Sequence, residues 1–290
     1  MRFAVERFKF LHEILQPARL TTIMDVGANP ANKPAYQHVL REGYCDVWGF
    51  EPLETAYNEL MAKKGPNEFY EPYAIGDGRS HTFHVCRAGV FSSLLAPNPA
   101  VFDYFGKFHS MMKVKKRIPI ETRRLDDLPQ IPKPDLLKID VQGAEKMVIE
   151  NAKVTLSDAV MIITEVSFIP LYQNQPLFHE QAALLDGMGF QMLGFDHLVG
   201  RHISNPAMAS LRGHEHQAQL LDGDAIFIRS LIEHGTYSDE QLKQLVLLAD
   251  GVIGCFDLAA KGLWHLIDRG VCGKDRMREY ISLTPFHDVA

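Results

Sequence analysis

Apolar residues in the first 75 positions fall into two patterns. Short continuous runs at 22–27, 45–51 and 69–75 predict buried strands. Helical spacing from Phe3 to Leu15, ended near Pro17, predicts an N-terminal helix, and 33–42 and 53–64 read as helices between the strands. Strands that alternate with helices over short links indicate a parallel, doubly wound sheet.

The pattern changes after residue 75. His81–Cys86 alternates polar and apolar positions, which predicts an antiparallel strand, and Arg117–Thr122 predicts a second one. Between them, 89–113 shows no clear element and contains prolines, so we expect a lid or binding loop there.

The strand and helix rhythm then returns. We predict strands at 135–140, 159–166, 190–195 and 225–228, helices at 143–152 and 178–188, and a loop at 200–223. After Tyr237 the pattern is helical only, at 239–249, 252–268 and 275–281. The predicted organisation is an N-terminal helix (1–19), an α/β domain (20–230) and a C-terminal helical extension (236–290). The apolar stripe of this extension (Leu242, Leu245, Val246 and Ala249) is expected to pack against the main domain, while a cover for the pocket, a dimer face or a docking site for a partner stay open as alternatives.

Composition narrows the function classes. The 290 residues are 46% apolar and 23% charged, which is typical of a globular protein. A net charge of −6 disfavours a nucleic-acid partner. The four cysteines form no C-x-x-C pair and the N-terminus has no signal-peptide pattern, so we expect a cytoplasmic protein. The most apolar stretch, 245–264, is interrupted by charges and is a poor membrane span.

Two strand ends carry a candidate cofactor site. The first strand ends in Asp25-Val26-Gly27-Ala28-Asn29, where the glycine permits a sharp turn. The second ends at Glu51, and an acid at that place in dinucleotide folds binds the ribose hydroxyls. Taken singly, Gly27 is better explained as a simple turn and Glu51 as a solvent-facing carboxylate. Because they end adjacent strands at the carboxyl edge of the sheet, the two together favour a cofactor site.

The glycine pattern favours a cofactor without phosphate. Of the three glycines in the dinucleotide pattern G-x-G-x-x-G only Gly27 is present, because Asn29 and Asn32 occupy the other positions. S-adenosylmethionine needs neither of them. Asp25 can bind its ammonium and the N–H groups of the turn its carboxylate. A nucleotide-sugar or NAD-dependent enzyme is the alternative, and a non-catalytic scaffold with this fold is another.

Several motifs resemble the FkbM-type methyltransferases over about residues 20–230. They are Asp25-Val-Gly-Ala-Asn29, Gly49-Phe-Glu-Pro52, Ala74-Ile-Gly-Asp77, Ser92-Ser-Leu94 and Leu137-Lys-Ile-Asp-Val-Gln-Gly-Ala-Glu145. The resemblance implies a Rossmann-like methyltransferase fold with a mostly parallel sheet, an antiparallel last strand and an inserted β-hairpin. It also implies methyl transfer from S-adenosylmethionine to a hydroxyl of a sugar, glycan or secondary metabolite.

The same resemblance assigns expected roles. The methionine end would lie at Asp25, Gly27, Ala28 and Asn29, the ribose at Glu51 and Pro52, and the adenine near Ala74, Ile75 and Asp77. Ser93, Asp140 and Val141 would complete the cofactor site. One departure is Gln142, where the family often has Glu, which weakens any expectation of a carboxylate cluster or metal site.

A hydroxyl acceptor calls for a general base. Asp140 at the end of the fourth strand is the first candidate, with capping of the next helix as its alternative role. Glu165 is the second, and His179 the third unless it is a surface residue. Ser92 and Ser93 either touch a ligand or cap a loop. His214-Glu215-His216 is weak support for a metal, because no further ligand is apparent.

Overall fold

A computed structural model describes residues 4–31, 33–206, 219–232 and 234–286. The seven strands of its main sheet are β1 (Thr21–Val26), β2 (Cys45–Phe50), β3 (Glu68–Glu71), β7 (Leu136–Ile139), β8 (Met161–Ser167), β9 (Phe190–Arg201) and β10 (Gln219–Arg229). They lie in the order β3-β2-β1-β7-β8-β10-β9. All neighbouring pairs are parallel except those of β10, which runs antiparallel to both β8 and β9. The expected mixed sheet with an antiparallel last strand is confirmed.

Helices cover both faces of this sheet, which explains why β1 is buried along its whole length. One face packs against α5 (Glu145–Glu150) and α6 (Phe178–Gly187) through side chains such as Leu137, Ile139 and Ile162. Two helices, α2 (Gln37–Arg41) and α3 (Glu54–Lys63), link the first three strands. The helix predicted at 33–42 is therefore shorter than expected.

The opposite face packs against the N-terminal and C-terminal helices. These are α1 (Val5–Leu15), α7 (Asp239–Leu248), α8 (Phe256–Asp268) and α9 (Asp275–Ser282), with a π-helical turn at Ala249–Ile253. Leu245 and Leu263 join Ile23 and Leu136 of the sheet in one hydrophobic core. The C-terminal helices thus share the core of the α/β domain.

A buried ion pair ties these helices together. Arg7 of α1 donates from Nε to Oδ2 of Asp250 at 2.6 Å, and the Tyr280 hydroxyl donates to the same oxygen at 3.0 Å. Both charged side chains are almost completely buried. Removing either charge would leave the other buried without its counter-charge, which is costly. With Tyr280, the pair links three elements that are distant in sequence.

The segment between β3 and β7 forms a second, smaller sheet. The strands β4 (Ala74–Ile75), β6 (Val114–Arg123) and β5 (Ser80–Cys86) lie side by side, with β5 antiparallel to β6. The third predicted strand, 69–75, is therefore two strands in different sheets. The segment 89–113 is less irregular than expected, because it contains α4 (Pro99–Phe105), whose Phe102 and Phe105 pack in a cluster with Tyr172.

The last predicted loop was also too long. β9 ends at Arg201 and β10 begins at Gln219, so both strands enter the predicted loop 200–223, and Gln219 pairs with Arg201. The alternation in these strand ends is weak, which explains why the sequence pattern did not reveal them. Among the described residues, no helix is long and apolar enough to cross a bilayer.

Candidate active site

A cavity of about 450 Å³ lies at the carboxyl edge of the parallel strands. Ligands of open α/β sheets bind at this edge, where successive strands turn away to opposite faces. The end of β1, the end of β2 and the turn after β7 form its floor. The segment between β3 and β7, called the inserted segment below, forms its outer wall. Eight of the residues predicted from sequence line it: Gly27, Asn29, Glu51, Pro52, Ala74, Ile75, Asp140 and Val141.

The turn after β1 requires its glycine. Gly27 has a φ of +86°, and a Cβ there would lie 1.9 Å from the carbonyl oxygen of Asp140. The amides of Gly27 and Ala28 both donate to the carbonyl of Phe50, at 3.1 and 3.0 Å. These two N–H groups are therefore used to join β1 to β2, and they do not have the free position expected for binding a ligand carboxylate.

Glu51 brings a carboxyl group into the cavity wall. It is 8% exposed, and its Oε1 accepts a hydrogen bond from the Leu53 amide at 2.7 Å. Burial raises the pKa of Glu51 to about 7, opposed by the Leu53 amide and reinforced by the charge of Asp25. A ligand hydroxyl that donates to this carboxylate would replace the hydrogen bonds that burial has taken from it.

Apolar side chains enclose the rest of the cavity. Phe50 and Val141 come from the main sheet and its turns, and Phe83 and Leu94 come from the inserted segment. An apolar cavity with a buried carboxyl group in its wall suits a nucleoside. Sequence reasoning missed Phe83, although it belongs to the alternating strand that was predicted. Leu94 lies in 89–113, where a lid or binding loop was expected, but it was not assigned a role.

Asp25 lies on the other side of the turn, where it faces a neighbouring cavity of about 550 Å³ that Ala28 also lines. It is 4% exposed, accepts a 2.5 Å hydrogen bond from the Tyr36 hydroxyl and lies 3.3 Å from Nζ of Lys138. Burial disfavours the charged form of Lys138, but the neighbouring carboxylates of Asp25 and Asp140 have the larger effect. The pKa of Lys138 is therefore raised. Asp25 is thus paired within the protein.

Two of the three candidate general bases, Asp140 after β7 and Glu165 in β8, lie close together. The side-chain amide of Gln142 donates to Oδ1 of Asp140 at 2.9 Å and to Oε2 of Glu165 at 3.0 Å. On the other side, Oδ2 of Asp140 lies 3.7 Å from Nζ of Lys138. Burial, with the nearby Asp140, raises the pKa of Glu165 well above its ordinary value. Asp140 lines the cavity, whereas Glu165 stands behind it.

The N-cap residue of α5 is Ala144, and Glu145, the first residue of that helix, binds the backbone of the turn that follows Asp140. Its Oε1 accepts hydrogen bonds from the amides of Val141 at 3.0 Å and Gly143 at 2.9 Å. Burial raises the pKa of Glu145 to about 7, although these amides favour its charged form. The side chain of Asp140 is therefore left to the cavity, Gln142 and Lys138.

Three further predicted residues lie apart from the cavity wall. Asp77 accepts from His81 at 2.7 Å beside a different cavity, and His179 is exposed at the start of α6. Ser93 is buried and donates to the backbone carbonyl of Gln142 at 2.7 Å, whereas its neighbour Ser92 lines the cavity. The roles expected for Asp77, His179 and Ser93 stay predictions.

Metal ligands are not assembled in the part of the chain that the structure describes: no three His, Cys, Asp or Glu side chains there could hold an ion. The motif His214-Glu215-His216 lies outside the described residues.

Comparison with known proteins adds a family. The profile described as the Methyltransferase FkbM domain matches residues 25–192, which is more than half of the chain. No curated protein matches the sequence.

Solved structures give weaker likenesses. A precorrin-6y C5,15-methyltransferase from Geobacter metallireducens is 10% identical at a TM-score of 0.37, with 77% of this chain and 87% of that one covered. TYW2 from M. jannaschii, solved with AdoMet, is 11% identical at a TM-score of 0.33, with 79% of each chain covered. A protein of the NADB-Rossmann superfamily from Streptococcus agalactiae is 10% identical at 0.36, with 98% and 93% covered.

Proposed function

The chain belongs to the FkbM methyltransferase family and is an S-adenosylmethionine-dependent methyltransferase, and from that premise we propose that it methylates a hydroxyl group of a sugar, glycan or secondary metabolite. The observation that carries this proposal is the carboxylate of Asp140 in the cavity wall, anchored by hydrogen bonding on one side and by Lys138 on the other. A hydroxyl acceptor needs a group to take its proton, and a carboxylate can do so.

The cavity fits the cofactor. Glu51 is a buried carboxyl that would accept hydrogen bonds from the ribose hydroxyls, since each of its oxygens has free lone pairs. Phe50, Ile75 and Phe83 would enclose the adenine. The methionine end would follow the turn at Asn29, whose side chain lines the same space.

The reaction needs positioning more than chemical activation by the protein. S-adenosylmethionine supplies a methyl group on a sulfonium that is already a good leaving group. The residues of this chain would align the acceptor, exclude water and remove one proton. In the proposed step the acceptor oxygen forms its bond to the methyl carbon as the carbon–sulfur bond breaks and leaves its electron pair on sulfur, while the acceptor's hydrogen passes to a carboxylate oxygen of Asp140.

Calorimetric titration tests the cofactor part of this proposal. S-adenosylhomocysteine should bind the purified chain and NAD should not. Transfer of tritiated methyl from S-adenosylmethionine to a panel of sugars, polyols, amines and thiols then tests the acceptor class. Labelled product from hydroxyl compounds, lost in Asp140→Asn with cofactor binding kept, is the expected result. Transfer only to amines or thiols would refute a hydroxyl acceptor.

We also propose a cytoplasmic location. Support comes from the cysteines, since Cys45, Cys86, Cys255 and Cys272 are all free thiols, which suits a reducing compartment.

The C-terminal helices leave Trp264 half exposed, and we propose their surface for self-association, which sedimentation of wild type and Trp264→Ala would test.

A further inference from the structure

The side chain of Gln142 stands between the two carboxyl groups of the site. Its Nε2 carries two hydrogens, and each has a partner: Oδ1 of Asp140 at 2.9 Å and Oε2 of Glu165 at 3.0 Å. We infer that Gln142 is a positioning residue for methyl transfer, which holds the Asp140 carboxylate toward the cavity and apart from Glu165. This inference rests on the proposed function.

Neighbouring groups determine which end of the Gln142 amide faces the carboxyls. The hydroxyl of Tyr172 lies 2.9 Å from Oε1 of Gln142 and 3.1 Å from the carbonyl oxygen of Phe91. With Oε1 toward Tyr172, the amide hydrogens point at Asp140 and Glu165. The reverse orientation would set a carbonyl oxygen against two carboxyl groups, which only protons on both of them could relieve.

The backbone of Gln142 is held as firmly as its side chain. Its φ is +58°, a left-handed conformation that is uncommon for residues other than glycine. Its carbonyl accepts the 2.7 Å hydrogen bond from Ser93, which belongs to the inserted segment that forms the outer wall of the cavity. Gln142 therefore joins the end of β7, β8 and the inserted segment at one point.

A neutral donor has a specific advantage at this position. Asp140 and Glu165 lie close enough to share one amide group, and two ionised carboxylates in such proximity disfavour each other. Gln142 gives each of them a hydrogen bond and adds no charge. With Lys138 at 3.7 Å from the other oxygen, both oxygens of Asp140 are anchored and the plane of its carboxylate is set.

The test uses two cofactor analogues, so it needs no acceptor. Sinefungin carries an amine where the transferred methyl would be, and S-adenosylhomocysteine carries nothing there. An oriented Asp140 carboxylate should make the wild type bind sinefungin roughly tenfold or more tightly than S-adenosylhomocysteine, since a hydrogen bond to a charged group is involved. Asp140→Asn should lose this preference.

The informative variant is Gln142→Met, which keeps an unbranched side chain of similar length and removes the amide. The preference for sinefungin should fall about threefold to tenfold, while the affinity for S-adenosylhomocysteine changes little. Gln142→Asn, which tolerates the left-handed backbone but is one carbon shorter, should lose the preference as well. Gln173→Ala on the exposed surface is the control and should behave as wild type.

The ratio of the two affinities separates positioning from folding, because a damaged fold weakens both ligands together. If Gln142→Met and Gln142→Asn keep the wild-type ratio, the positioning role is wrong and the proposed function stands. If the wild type binds S-adenosylhomocysteine but shows no preference for sinefungin, the inference is also refuted. If the wild type binds neither analogue, the proposed function and the inference fail together.

Discussion

Replacing Glu51 by glutamine should stabilise the ligand-free protein and weaken its hold on the cofactor. The side chain is 8% exposed, and burial raises its pKa from 4.5 to about 7. Glutamine keeps the oxygen that accepts from the Leu53 amide and removes the ionisable group. The cost of ionising a buried carboxyl group therefore disappears in the variant.

The sign and size of the effect follow from proton linkage. Between pH 4.5 and 7 the folded protein retains a proton on Glu51 that the unfolded chain has released, so stability falls as the pH rises through this window. At about 1.4 kcal/mol per pH unit, the full penalty above pH 7 is about 3 kcal/mol. Glu51→Gln should therefore unfold with a free energy about 3 kcal/mol higher than that of the wild type at pH 8, and with nearly the same free energy at pH 4.5.

Urea unfolding of both proteins at pH 4.5, 6 and 8 measures the difference directly. Other titrating groups affect both proteins alike and cancel. Glu59→Gln is the matched control, because Glu59 lines the same cavity with its side chain 50% exposed. A gap between wild type and Glu51→Gln that is the same at pH 4.5 and pH 8 would refute the buried-carboxyl argument.

In calorimetry the variant should bind S-adenosylhomocysteine about 1–3 kcal/mol more weakly, because a ribose hydroxyl loses its acceptor.

Two further substitutions test the surroundings of the site. Gly27→Ala would place a Cβ 1.9 Å from the Asp140 carbonyl oxygen, so it should lower the free energy of unfolding by more than about 3 kcal/mol. Gly43→Ala is the control: its φ is +76° but nothing lies within 4 Å, and it should cost about 1–2 kcal/mol. Equal losses in urea unfolding would contradict the close approach at Gly27. Lys138→Met strands the buried carboxylate of Asp25 and should cost about 3–5 kcal/mol. Most of that loss should be absent when the same change is made in an Asp25→Asn background, and an unchanged loss would show that the two charges are not coupled.

The sequence predicted those parts of the fold that depend on local patterns. The continuous apolar run of β1 and the glycine after it are properties of neighbouring residues, and the turn is found where they indicated it. The ends of β9 and β10 were missed because they are largely half-exposed and are defined by pairing with each other, which no short window of sequence contains.

The site divides in the same way. Glu51 could be found because it directly follows a strand, and it lines the cavity. The pairing of Asp25 with Lys138, which turns that acid away from the cavity, joins residues more than a hundred positions apart. Leu94 lies in 89–113, where the sequence analysis expected a lid or binding loop. Phe83 lines the cavity because the strand that carries it folds back over the sheet edge, a long-range contact that residue types alone did not indicate.

A crystal structure with S-adenosylhomocysteine tests the central claim most directly. Density for the nucleoside should fill the space between Gly27 and Glu51, with both ribose hydroxyls within hydrogen-bonding distance of the Glu51 carboxylate. A ligand bound elsewhere, or a Glu51 carboxylate that makes no contact with the ribose, would contradict it.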